Sequence, residues 1–328
     1  MSSQSRPFAA RMRDHQRRWA LAEHIPPEAL EPERAWVLKK EFERRNLFRP
    51  DWWQPIAGKE HRWARALTSS QCFGVNLFGP LQGQPAHCRR LVERLLPHRA
   101  LQADDTVGIR FEHTPLGAPE WLGERGQPTQ VDVFLEVARG TKPVGYVLVE
   151  VKFTESEFGG CRGWNGRRDG ATLNTKPKRC LDVASVLDDP AHTCWLAEEH
   201  GRTYWTLMTK PDSTLKTDQI RRAQACPFRH GLYQLMRSRV LADELRRQVP
   251  DAWAEVVVCR HPANQELVHL EDAVAHNSNA FAAFRALSAQ DAIRDWNAED
   301  VAGTIASVAP GCGQWLSWMQ CRYFPAEF

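Results

Sequence analysis

The chain has 328 residues, a formal net charge of +3 and 25% charged residues. That length fits one large domain carrying insertions, with enough chain to bury a real core. The small net charge excludes a histone-like polycation, so any nucleic-acid surface must be local.

The opening stretch MSSQSRPFAARMRDHQRRW holds no apolar segment of secretory type, and no stretch approaches the ~20 apolar residues that span a bilayer. A cytoplasmic protein without a membrane partner is expected. Nine cysteines, an odd number in a reducing compartment, argue for free thiols or metal ligands over a disulfide framework. The thirteen tryptophans suit packing, with exposed ones free to stack on bases.

From residue 8 to about 48 the pattern reads as helical and strongly charged, with apolar residues at three- and four-residue spacing in AWVLKKEFERRNLF. This predicts a helical N-terminal arm over 1–60, its arginines serving either a solvated face or a nucleic-acid contact. After a Trp-rich stretch comes LTSSQCFGVNLFGPL, where Ser69 or Ser70 caps a short helix that stops near Gly79-Pro80. A second helix over 87–96 ends at Pro97. The period then changes to two. VGIRFEH (107–113), VDVFLEVA (131–138) and VGYVLVEVKF (144–153) read as strands, the last two joined by RGTKP.

The next clear elements are a helix over 233–249 and a strand over 252–260. Between them and the third strand lies an insertion, 154–230, that is basic and cysteine-containing. Its segment 161–180 carries Arg162, Arg167, Arg168, Lys176, Lys178 and Arg179 against one acid, Asp169, and is a candidate phosphate-facing loop. Residues 279–328 read as helices within a C-terminal extension, 266–328. Two helices, three strands, an insertion, a helix and a strand predict an α/β (α+β) core over 61–265, a mixed sheet flanked by helices.

The strand 144–153 carries Glu150 and Lys152 two apart, hence on one face. Asp132 lies near the start of the preceding strand, so an antiparallel hairpin gathers Asp132, Glu150 and Lys152 at one sheet edge. Two carboxylates side by side repel unless a cation separates them, and oxygen ligands suit Mg²⁺. A lysine beside them can orient a water or neutralise charge in metal-assisted phosphodiester hydrolysis. An ordinary cross-strand ion pair is the competing reading of the same residues.

Asp132, then seventeen residues, then Glu150-Val151-Lys152 on consecutive strands resembles the PD-(D/E)XK nuclease superfamily, with an α-β-β-β-α-β core. Val131 stands where the nominal motif has proline. LTSSQCFGVNLFGPL resembles the Ser-Ser-Gln helix of a standalone, restriction-endonuclease-like branch, and VEVKFTESEFGGC and CPFRHGLYQLMR resemble its later blocks. The resemblance implies a nuclease dependent on Mg²⁺ or Mn²⁺ that cuts DNA in defence against foreign DNA or in repair. Asp132, Glu150 and Val151 would hold the metal and Lys152 would assist the attacking water. Glu112 is an added candidate ligand or water contact, Gln71 would face the site from its helix, and Gln234 would do so after the insertion. RNA as substrate stays open, as does a non-cleaving binding or sensing module of the same fold.

Cys161, Cys180, Cys194 and Cys226 follow the catalytic motif, separated by 18, 13 and 31 residues. No CxxC pair is present among them, which argues mildly against a zinc ribbon. Folding could gather them round a [4Fe–4S] cluster, or around Zn²⁺, or bury them as packing thiols. Superfamily nucleases with such a cluster place one cysteine before the motif, a pattern that differs here. Cys259, Cys72, Cys88, Cys312 and Cys321 read as core or helix residues.

Overall fold

The computed structural model describes residues 6–22, 25–126, 128–165, 177–289 and 291–328. Among them the central element is a five-stranded sheet whose spatial order follows the chain. Its strands are β1 (Asp105–His113), β2 (Val131–Arg139), β3 (Lys142–Lys152), β4 (Trp253–Arg260) and β5 (Arg294–Asn297). β1, β2 and β3 pair antiparallel, while β4 and β5 add parallel strands. The sheet is therefore mixed, and the parallel step from β3 to β4 requires a crossover. The insertion and a long helix supply it.

Alternation divides the apolar residues between two faces. Val133, Leu135 and Val137 of β2 join Val147, Val149 and Val151 of β3 on one side. Helices α2 (Ser70–Phe78), α3 (Pro85–Leu95), α5 (Ala298–Val308) and α6 (Gly313–Tyr323) cover that side. Phe134, Tyr146, Leu148, Val256 and Val258 face the other way, under α4 (Tyr233–Gln248) and the crossover. Burial on both faces explains why β3 and β4 read as unbroken apolar runs.

Ser69 caps α2 by accepting a hydrogen bond from the Cys72 amide. Where α2 crosses the sheet, a Cβ on Gly74 would lie 3.3 Å from the Val151 side chain. That close approach fixes the end of β3 from behind.

The two ends of the described chain are joined on that same side. Arg322, fully buried, donates to the Asn46 carbonyl at 2.9 Å and to Gln16 Oε1 at 3.0 Å. Its guanidinium also lies 4.4 Å from the Trp19 ring centre. Gln16 belongs to α1 (Phe8–Ala22), so α1 and α6 are bound together. Carbonyls, amides and aromatic faces stabilise this buried cation, in place of a carboxylate.

Two expectations need correction. The segment 34–38 is a strand, Arg34–Leu38, paired with Leu30–Glu31 and followed by the 3₁₀ turn Lys40–Asn46, not one continuous helix. Consecutive Trp36, Val37 and Leu38 suit a pleat, and Val37 also bridges Ala66. Within 279–328, read as helical, Arg294–Asn297 forms β5, and a hairpin, His269–Val274 with Asn277–Asn279, precedes it. RDWN is short and polar, with only Trp296 buried, so its period-two signal is weak.

Candidate active site

The β2–β3 register opposes Val133 to Val149, which sets Asp132 against Glu150 one step further along. The Val151 amide donates to Asp132 Oδ2 at 2.7 Å, locking that carboxylate to the sheet. Lys152 Nζ lies 2.8 Å from Glu150 Oε1. Glu150 is 7% exposed and Lys152 5%, so neither charge relies on water for its stabilisation. The edge expected from the sequence is thus assembled.

Glu112 joins it from β1. Phe111 pairs with Val133 and His113 with Val131, while Glu112 falls out of the ladder with φ +44°. Left-handed backbone at a non-glycine residue costs on the order of 1–3 kcal/mol and clusters at functional sites. The local kink, which leaves the register unchanged, buries Glu112, whose Oε2 faces His61. His61 Nε2 stands 3.4 Å away. Glu112 holds the His61 imidazole above its usual value, against the opposing effect of burial.

These charges couple. Burial pushes the Asp132 carboxyl well above the usual range, and the neighbouring Glu150 and Glu112 push it further. Burial alone would lower Lys152, but Glu150, Glu155 and Asp132 outweigh it and the ammonium is held above its usual value. Three acids face one lysine and the His61 imidazole beside Glu112, so the carboxylates outnumber the cations set against them.

Asp132, Glu150 and Glu112 line a cleft of about 460 Å³, whereas Lys152 is not among its lining residues. The same cleft is also lined by Arg125, Arg162, Arg202, Arg237, His200 and Gln234. Arg237 Nε is buried with no hydrogen-bond partner. Arg202 pairs with Glu124 at 3.1 Å, and Glu124 also accepts from Thr129 and from the Tyr204 hydroxyl. That hub ties the loop before β2 to the crossover.

A family model described as restriction endonuclease associating with ARP matches residues 8–324. The chain belongs to this family. For this ARP-associating restriction endonuclease family member, none of the curated proteins and none of the solved structures matches. The match spans the terminal helices as well as the sheet, and the five-stranded mixed sheet flanked by helices is a restriction-endonuclease-like fold. The fold class and the restriction-endonuclease-like branch expected from the sequence are borne out. Among the described residues no helix is long and apolar enough to cross a membrane.

Not every expected residue of this family member meets the cleft. Gln71 is turned elsewhere: its Oε1 accepts from the His61 amide at 2.9 Å and its Nε2 donates to the Lys59 carbonyl at 3.0 Å. It braces the loop that presents His61. Gln234 and Arg162 line the cleft. Arg179 is spent on Glu198 and the His192 carbonyl. Lys178 lies in the turn Pro177–Leu181, while Arg167, Arg168 and Lys176 lie outside the described residues.

Sequence reasoning missed His61, Arg125, His200, Arg202 and Arg237, which arrive from separate loops and helices. Only Arg237 carried a signal, standing one helical turn from Gln234 on α4.

The cysteines of the crossover do gather. Cys161, Cys180, Cys194 and Cys226 line one cavity with Tyr204, Trp205, Phe228, Tyr233 and Met236. All four are free thiols. Burial pushes Cys161 up to about 12 and Cys180 to about 11, and Cys194 adds to both shifts.

Proposed function

We propose that the chain is a divalent-metal-dependent nuclease that hydrolyses DNA phosphodiester bonds, in defence against foreign DNA or in DNA repair. One observation carries this reading: two carboxylates on opposed positions of adjacent strands line a cleft together with several arginines, and a buried lysine is paired to one of them.

The donor set fits Mg²⁺ or Mn²⁺. It is all oxygen, with Glu112 Oε2 buried beside His61 as a further acceptor. Among the described residues no three His, Cys, Asp or Glu side chains form a ready metal cage. Mg²⁺ needs none, since it binds through one or two carboxylates and keeps several waters. Asp132 and Glu150, with the backbone at Val151, would hold it and Glu112 would contact a bound water. When bound, the cation would supply charge for a phosphate oxygen and acidify a water.

The remaining work belongs to the chain's own side chains. The Val151 amide fixes one Asp132 oxygen and so aims the other outward. Lys152, held by Glu150, keeps a positive charge beside the place where the phosphate gathers negative charge. The buried Arg237 Nε offers a donor to a phosphate oxygen, and Arg125 and Arg162 extend the positive rim along the strand's path.

Incubating the purified chain with DNA in Mg²⁺ tests the reading. Cleavage should stop with EDTA and in Glu150→Gln and Lys152→Met variants that keep native circular dichroism. Undiminished cleavage in both variants would remove the site assignment. Matched RNA of the same sequence decides the substrate: preferential cutting of RNA would displace DNA.

A further inference from the structure

The crossover between β3 and β4 has an unusual build. From Arg162 to Arg221 its described helices number seven and none exceeds six residues. Helices that short cannot stand alone, since each must repay a nucleation cost with few hydrogen bonds. Small helical units of this kind depend on a crosslink, a metal or a partner for their order. No disulfide supplies one, as all nine cysteines are free.

The four crossover cysteines come from three separate helices or their caps and from one loop, yet all line the same cavity. Their backbones are tied to each other. The Cys226 amide donates to the Cys180 carbonyl at 2.7 Å, and the Cys161 amide donates to the Arg229 carbonyl at 3.1 Å. The Arg229 amide in turn donates to the Cys226 carbonyl at 3.3 Å. Gly159, with φ +67°, turns the chain out of β3 toward Cys161. Two buried cysteines elsewhere behave differently. Cys72 donates its S–H to the Ala64 carbonyl at 3.1 Å and Cys88 to the Leu81 carbonyl at 3.4 Å, the behaviour of packing thiols.

We infer that Cys161, Cys180, Cys194 and Cys226 ligate a [4Fe–4S] cluster that staples the crossover and fixes one wall of the cleft. Four cysteines without a CxxC pair line one cavity, which matches the ligand count of a cubane. A cubane presents iron at separate corners and suits ligands held apart. Loading releases one proton from each thiol as it becomes a thiolate ligand. The four-thiolate cluster is net negative, and Arg202 and Arg229 line the cavity to offset that charge.

The coupling to the cleft is direct. Leu196, Arg202 and Tyr233 line the cavity on one side and the cleft on the other. Loss of the cluster should therefore displace Arg202 while leaving the β2–β3 edge intact. The role is structural, with no electron transfer required.

The test uses the full chain purified without oxygen, and does not depend on nuclease activity. Expected are about four iron and about four acid-labile sulfide per chain, with a brown chromophore that bleaches on dithionite reduction. Cys226→Ser and Cys194→Ser should lose the iron, and Cys321→Ser, at an exposed position, should retain it. Stoichiometric zinc without iron would overturn the cluster, and so would a metal-free wild-type chain. Because the iron count is taken on the wild-type protein, a variant that fails to fold does not affect it.

Discussion

Lys152 Nζ and Glu150 Oε1 meet at 2.8 Å with both side chains nearly excluded from water. Each is the other's nearest counter-charge, and Glu155 and Asp132 add to the field that holds Lys152 charged. Removing one partner strands the other, at a cost of roughly 3–5 kcal/mol for a buried pair. Glu150→Ala should thus lose stability in urea unfolding, while Glu150→Leu/Lys152→Met should recover most of it. Additive losses in the double variant would contradict the pairing.

Activity should follow a different rule from stability. The Glu150→Leu/Lys152→Met variant, however stable, is expected to be inactive, and Lys152→Met alone to lose about 10²–10⁴-fold in cleavage rate. Single-turnover assays at saturating DNA would separate this from weaker binding. A stable double variant that still cuts would place the chemistry elsewhere.

Gln71 acts through the loop it braces. Gln71→Leu removes both hydrogen bonds to 59–61 and should lower the rate about as far as His61→Ala does. The double variant should add little further, because the two residues act as a unit. Independent, multiplied losses would refute that link.

Much of this site was legible because the residues obey a period. Asp132, Glu150 and Lys152 share a face by alternation, and the β2–β3 hairpin leaves them one meeting place. The helix α2 announced itself through Ser69 and its apolar run. β5 did not, since three of the four residues in RDWN are polar or charged and its pairing is set by β4 rather than by its own pattern. His61, Arg202 and Arg237 could not be found from spacing, since the fold alone brings them to one cleft. Gln71 misled for a physical reason: a buried amide must satisfy its donors and acceptor locally, and the backbone of 59–61 was nearer than the cleft.

Glu255 offers a stability test away from the cleft. Its carboxylate, 2% exposed at the side chain, accepts from Arg99 at 2.7 Å, Arg294 at 2.8 Å and His98 at 2.9 Å. Burial alone would raise its pKa, but the bonds from Arg294, His98 and Arg99 outweigh that and hold it below the usual glutamate range. Its folded value lies below its unfolded one, so the stability it gives is present above the ordinary glutamate range and is lost as pH falls through the folded value. Glu255→Gln should lower urea stability at neutral pH and flatten the acid limb of the stability profile. An unchanged acid limb would show that the hub does not govern it.

The Arg322 clasp bears on the order in which the molecule forms. Gln16 and Arg322 are 306 positions apart, yet α6 seals the back of the sheet whose front carries Asp132 and Glu150. Until residues near 323 have left the ribosome, Phe73 and Phe153 lack Tyr323 as a neighbour. Contacts that span the whole chain are slow to close. A chain grown past Glu150 but not yet to Tyr323 would hold every acidic residue of the β2–β3 edge and still lack the aromatic support behind it, so the edge and its backing are separated in time by the synthesis of the segment between them.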